Sequence, residues 1–397
     1  MAKIWLGLRI TAVIIFLNAG LIGSASAAPY IPNSDAQVLE RLPTRNDPTQ
    51  RVLVSLRSQL QRDPRNLPIA AELARRYINM ARLDADPRYL GYAQAALAPW
   101  WAQPNPPPEV LVLRATILQS THRFSQALAD LDLVLKTDPR NGQALITRAT
   151  VLQVQGAFEE ARKTCAQLAG LAADLVVRIC MANVASLTGN ARASYLSLRN
   201  AFESGGNADA ALQDWILTVL AEMAVRLGDS AVAETHFRRA LALAPTDNYL
   251  LGAFADFLLD QERNEEVITL LKDKTRADGL LLRYALALKN SQSPAATKAI
   301  SELRDRFAAA AMRGDTVHQR EQSRFELQLM KNPKLALQLA QANWAVQKEP
   351  ADARIFLEAA VAADDRTAAQ PVLAWLKQTG LEDASLDKLK KSLANPA

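Results

Sequence analysis

"RATILQ", residues 114–119, returns as "RATVLQ" at residues 148–153, 34 positions later and with one conservative change. The flanks return with it: Phe124 and Ala127 after the first copy answer to Phe158 and Ala161 after the second. Chance does not carry the flanks along, so the recurrence reports an architecture built from one unit stacked on the next.

Outward from this pair, strictly alternating runs of Val, Ile, Thr and aromatic residues are missing. Ala and Leu recur at spacings of three and four, which predicts amphipathic helices and an all-α class. The punctuation agrees. "RDPRN" (62–66), "TDPRN" (137–141), "APTDN" (244–248) and "EPADA" (349–353) each set a proline where one helix stops and an Asp or Asn where the next can be capped.

The N-terminus reads differently. Lys3 and Arg9, an apolar stretch at 10–23 and Ala25-Ser26-Ala27 have the order of a secretory signal peptide, with cleavage expected after Ala27. The apolar run is shorter than a spanning helix needs, and Asn18 and Gly20 interrupt it. The mature chain is therefore expected to carry no membrane span and to work outside the cytoplasm, in a periplasm. Losing Lys3 and Arg9 lowers the formal charge from +5 to +3 with no basic block behind it, so nucleic acid is not an expected partner. Residues 28–48, with Pro29, Pro32, Pro43 and Pro48, are expected to form an extended or disordered lead.

A 34-residue period made of two helices and a proline-marked turn resembles the tetratricopeptide repeat (TPR). In that family small residues sit where helix A and helix B cross, twelve positions apart, and a proline follows twelve later. Here one unit reads Ala115, Ala127, Pro139; the next reads Ala149, Ala161 and, departing from the pattern, Ala173. Later come Ala221, Ala233 and Pro245, then Ala255 with Val267 and Gly279, and Ala182 with Ser194 marks a middle unit. "LAEMAVRLGDSAVAETHFRRALALAPTD" (220–247) is the fullest match. The resemblance implies an all-α fold, a right-handed α-solenoid of stacked antiparallel helix pairs over residues 49–380, specific at 108–277, with a capping helix and tail at 381–397.

Little in the sequence offers catalysis. His122, His236 and His318 are far apart and expected at turns or in solvent, no phosphate loop or nucleophile elbow is present, and carboxylates are scattered beside Lys and Arg. The chain reads as a non-enzyme without metal or cofactor. Cys165 and Cys180, placed by the repeat register on a helix B and the next helix A, fit a disulfide that export would preserve, or two small buried apolar residues. Arg114 and Arg148 share one repeat position and are read as pairing with acids such as Asp130, Asp132, Glu159 or Glu160. "PWWAQPNPPP" (99–108) sets Trp100 and Trp101 beside five prolines; it is either a docking loop or a spacer on which the tryptophans pack down.

The resemblance implies that the A helices line an inner wall that binds a peptide or partner helix. Carried over position by position, the wall comprises Arg75 and Asn79; Val112, Thr116 and Gln119; Ile146, Thr150 and Gln153; Ile179 and Asn183; Thr218, Glu222 and Arg226; and Asp256 and Asp260. It is expected to be neutral toward the N-terminal side and acidic toward the C-terminal side, holding a protein segment by amides and hydroxyls. Chaperone-binding relatives use lysine, arginine and asparagine to clamp a C-terminal carboxylate; here only Asn183 fits that pattern. The reading is an exported scaffold or adaptor that binds another protein. The alternatives are a self-assembling envelope component, with self-association as its signature, and a cell-wall-associated binding protein or enzyme.

Overall fold

The computed structural model describes residues 32, 34, 36, 37, 48–205 and 208–394. The expected signal peptide and nearly all of the 28–48 lead lie outside the described residues. The chain divides into residues 1–52 and 53–397; among the described residues of the first unit only the opening turn of α1 (Pro48–Arg62) is helical. From Leu53 on, every helix belongs to the second unit.

Every regular element among the described residues is helical. α2 (Leu67–Asp84) pairs with α3 (Arg88–Ala96), and the short α4 (Ala98–Trp101) follows. Four further pairs are α5 (Pro108–Ser120) with α6 (Phe124–Thr137), α7 (Gly142–Val154) with α8 (Phe158–Ala166), α9 (Asp174–Ser186) with α10 (Ala191–Glu203), and α11 (Ala210–Arg226) with α12 (Ser230–Leu243). The second half adds α13 (Asn248–Asp260) with α14 (Asn264–Leu271) and α15 (Asp278–Asn290) with α16 (Ala296–Met312). Then α17 (Gln319–Arg324), continued by a π-helical turn at Phe325–Leu329, pairs with α18 (Pro333–Trp344), and α19 (Pro350–Ala362) with α20 (Gln370–Thr379), before α21 (Ala384–Ala394).

The caps are those the sequence offers. Asn66 and Asn141, the last residues of the two "DPRN" motifs, accept hydrogen bonds from the backbone amides of Ile69 and Ala144, satisfying donors that a helix start leaves free. Asp247 does the same for Tyr249 and Leu250, and Glu349 with Asp352 forms a capping box behind Pro350. The crossing alanines explain the pairing. Ala115, Ala127, Ala149, Ala161, Ala221, Ala233 and Ala255 are all 1% exposed or less, and a larger side chain there would force the helix axes apart.

Successive A helices also pack on one another, α2 on α5, α5 on α7, α7 on α9, α9 on α11 and onward through α13, α15, α17 and α19. This close inner spacing curves the solenoid so far that its second half lies against its first. The turn after α2 takes hydrogen bonds from the Asn248 amide to the Arg82 and Leu83 carbonyls, and Arg276 reaches Asp86. The Lys348 amide donates to the Val154 carbonyl after α7 (2.7 Å), and the Ala191 amide after α9 donates to Glu382 (2.6 Å). A shared core fills the seam: Phe158, Cys165, Leu168 and Cys180 from the first half with Trp344, Phe356, Trp375 and Leu386 from the second. Within it Cys165 and Cys180 form a disulfide joining α8 to α9.

The turn glycines are required by this winding. Gly156, at φ +76°, would place a Cβ 3.2 Å from Trp375 Nε1, and Gly189, at φ +77°, would place one 3.4 Å from the Gly380 carbonyl oxygen.

Candidate functional site

The inner wall is built from residues spaced three and four apart on the A helices, so each helix contributes one stripe. On α2, Arg75 and Asn79 are exposed; Arg75 pairs with Glu72 and with Glu109 of the next A helix. On α5 and α7, Thr116 and Thr150 are half-buried and return their hydroxyls to Val112 and Ile146 carbonyls of their own helices (2.9 and 3.0 Å), leaving the oxygens as acceptors. Gln119 and Asn79 have no side-chain hydrogen bond within the described residues, whereas Asn183 Nδ2 donates to Gln153 Oε1 across neighbouring repeats (2.9 Å). Ile179 and Thr218 are buried, which removes them from the wall proper.

Further along, the expected acidic stretch is not free. Asp256 accepts from Arg283 and from Arg324, each at 2.5 Å, and Asp260 accepts both terminal nitrogens of Arg354 at 2.6 and 2.8 Å. Burial opposes charge on Asp256, yet the two guanidiniums hold its carboxyl well below the usual range. Arg320 reaches Glu349 (2.8 Å), Glu321 (3.3 Å) and Asp352 (3.4 Å); Asp352, 1% exposed, also accepts from Asn343 and Gln347. Against the burial that would raise it, Arg320 holds Glu321 down to about 2. So the C-terminal wall is a self-neutralised ion network, and Asp256 is a structural acid.

Between the two regions lies a third environment. Tyr249 donates its hydroxyl to Glu222 (2.6 Å), and the Glu222 charge, then burial, raises the phenol well above its ordinary value. Burial also raises Glu222 and Glu349, and lowers Arg226, whose guanidinium donates to Ser186 (2.8 Å). Tyr249 stays 61% accessible, so its ring is open to solvent while its hydroxyl is held by Glu222.

Sequence reasoning left Tyr249 out of the wall stripe, and missed Arg320, Arg324, Glu349 and Arg354 altogether. Extending the A-helix stripe into α17 and α19 finds them, but the π-helical turn and the absence of crossing alanines at the usual positions obscure that register.

Of the two readings of residues 99–108 the structure shows the tryptophans packed down, and one expectation, for His236, needs correction. Trp100 and Trp101 lie half-buried on α4, packed on a core containing Leu97 and Val110, and Arg114 both donates to the Trp101 carbonyl and sits 5.9 Å from its ring centroid. His236 is neither at a turn nor in solvent: it is 4% exposed and 3.1 Å from the Tyr195 hydroxyl, because α12 turns that face toward α10. Arg114 pairs bidentately with buried Asp130, and Arg148 with Asp132 and Thr164, so neither is free for a ligand. A cavity of about 540 Å³ lined by Asp132, Arg140, Arg148 and Gln167 lies away from the wall residues, between α6 and α8.

No protein-family profile matches the sequence, and comparison with curated proteins finds no match. Among solved structures, the chain is similar to the Cut9–Hcn1 hetero-tetramer of the APC/C at 16% identity and a TM-score of 0.39, over 78% of this chain and 52% of that one, so it spans about half of that neighbour. It is similar to human IFIT1, a dimer with m7Gppp-AAAA, at 15% identity and a TM-score of 0.45 over 87% and 86% of the two chains. A tetratricopeptide repeat protein from Parabacteroides merdae matches at 13% identity and 0.31, over 72% and 99%. No helix among the described residues is long and apolar enough to cross a membrane. By architecture, the chain is an α-solenoid of stacked antiparallel helix pairs.

Proposed function

We propose that the protein is an exported, non-enzymatic adaptor that holds an extended segment of another protein against the inner wall of α2, α5, α7 and α9. The observation that carries this is the division of the wall. From Asp256 onward the charged side chains neutralise one another, while Arg75, Asn79, Thr116, Gln119, Thr150, Gln153 and Asn183 remain exposed or half-buried, with amide and hydroxyl groups available. Such a surface suits backbone and polar side chains of a peptide more than a highly charged ligand.

The test is crosslinking and affinity capture from the envelope fraction, comparing the mature protein with a Gln119→Arg, Thr150→Arg double variant. A protein captured by the wild type and lost in the variant, with circular dichroism unchanged, supports the reading. Equal capture by both refutes it. N-terminal sequencing of the protein recovered from that fraction should begin at Ala28; a chain that keeps residues 1–27 and stays in the cytosol removes the export component. Light scattering of the purified protein tests the rival self-assembly reading, for which a concentration-dependent oligomer is the expected signature.

A further inference from the structure

Arg226 differs from every other arginine on the inner wall. Arg283, Arg320, Arg324 and Arg354 each meet a carboxylate at 2.5–2.8 Å. Arg226 forms no ion pair within 4.0 Å among the described residues: its one hydrogen bond goes to the Ser186 hydroxyl, and its Nε is buried without an acceptor. One helical turn earlier, Glu222 likewise lacks a cationic partner and accepts only from the Tyr249 hydroxyl. The two charges project from the same face of α11, with Cβ atoms about 6 Å apart by helix geometry, and do not meet. Arg226 Nε is buried without an acceptor while both side chains stay half-buried, so opposite charges that lack ion-pair partners lie side by side where a ligand can reach them.

The surroundings select the ligand's charge. Arg320 is already taken by Glu349, Glu321 and Asp352, which leaves Glu222 and Arg226 as the two charges without an ion pair. Glu222 disfavours a simple anion, and Arg226 disfavours a simple cation beside it. A zwitterion meets both demands, with its carboxylate on the guanidinium and its ammonium on Glu222. The accessible ring of Tyr249, fixed by its hydroxyl, offers a face to the ammonium or to an apolar side chain. Glu222 and Arg226 remain half-buried, so both can be reached from solvent.

We propose that the cluster of Arg226, Glu222 and Tyr249 on the inner wall binds a zwitterionic α-amino acid. This site is distinct from the peptide wall of α2–α9 and does not depend on it.

The experiment is calorimetric titration and thermal shift of the mature protein with the proteinogenic amino acids singly. N-acetylated amino acids, which lack the ammonium, amino-acid amides, which lack the carboxylate, and a dipeptide, which sets the charges farther apart, are run alongside. The expected result is saturable one-to-one binding of one or a few amino acids, with derivatives lacking either charge at least about tenfold weaker. Arg226→Gln and Glu222→Gln should each weaken binding by at least about tenfold while circular dichroism is preserved. If either variant fails to fold, Arg226→Lys and Tyr249→Phe take its place, and the ligand series on the wild type still decides. Binding of the dipeptide in preference to every free amino acid, equal binding of the singly charged derivatives, unchanged affinity in the variants, or no response to any amino acid would each overturn the proposal.

Discussion

Replacing Gly156 by alanine should destabilise the protein more than the same change at Gly170, although the two glycines have almost the same backbone. Their φ angles are +76° and +73°, so an alanine at either meets a left-handed conformation that disfavours it by about 1 kcal/mol. The surroundings of the two turns differ. At Gly170 a new Cβ meets nothing within 4 Å, whereas at Gly156 it meets Trp375 Nε1 at 3.2 Å and the Lys348 side chain at 3.4 Å. Neither neighbour yields easily. Trp375 is 8% exposed and packs against Phe158 and Trp344, and the Lys348 amide is bonded to Val154. Overpacking of this kind adds about 1–3 kcal/mol, giving about 2–4 kcal/mol for Gly156→Ala against about 1 for Gly170→Ala. Urea unfolding at constant ionic strength measures the difference, and hydrogen exchange should show the added loss of protection in α18–α21. Equal unfolding midpoints for the two variants would refute the stacking of the second half on the turn after α7.

Three other outcomes are expected. Reducing the disulfide, or Cys165→Ser with Cys180→Ser, should remove about 3 kcal/mol by the chain-entropy account for a loop of 15 residues, read as a lower unfolding midpoint; no change on reduction would remove its role in the seam. Arg114→Met should cost about 3–5 kcal/mol because it strands Asp130, whose side chain is 9% exposed, and the double change with Asp130→Leu should recover part of that loss; an additive double variant would contradict the pairing. Stability should peak in weakly acid solution. Glu222 and Glu349 have raised values in the fold, so their unfavourable burial is relieved as pH falls from 7 toward the ordinary carboxylate range, whereas Glu321 and Glu234, held to about 2, lose their stabilising pairs as pH falls from about 4.5 to 2. A melting temperature that declines steadily from pH 7 downward would contradict the first half of this, and Glu222→Gln should reduce the rise.

The helical class and the pairing are legible because they depend on local rules. The 34-residue return of Ala115 at Ala149, and the caps at Asn66, Asn141 and Asp247, need only neighbours a few positions away. The wall was legible as a stripe, since Arg75, Gln119, Gln153, Asn183, Glu222 and Asp256 follow the A-helix spacing. Its chemical state was not. Whether Asp256 is a free acid depends on Arg324, 68 residues away, and whether Asp260 is free depends on Arg354, 94 residues away, and no helical period reports those contacts. His236 failed for a related reason: its polarity suggested exposure, while packing against α10 decided burial, and the choice left open for the two tryptophans likewise turned on packing around Leu97 and Val110.

The winding nevertheless leaves a trace in which residue occupies each turn between paired helices. A left-handed residue recurs there: His122, Gly156, Gly189, Gly228, Glu262, Gln292 and Asp364 all have φ between +53° and +77°. The conformation alone therefore does not demand glycine, since Glu262, Gln292 and Asp364 adopt it with full side chains. Glycine stands where the second half lies on the turn, as Trp375, Gly380 and Ala384 do over Gly156, Gly189 and Gly228. The end of α2 also meets the second half, but through side chains: Asn248 and Arg276 reach it, while His122 in the α5 turn stacks on Phe124. From α13 onward the turn residues Glu262, Gln292 and Asp364 are exposed among the described residues, and long polar residues return. In this chain glycine is thus the turn residue where backbone or side-chain carbon of the second half comes within 4 Å, and a side chain is kept where the second half is met only through long polar groups.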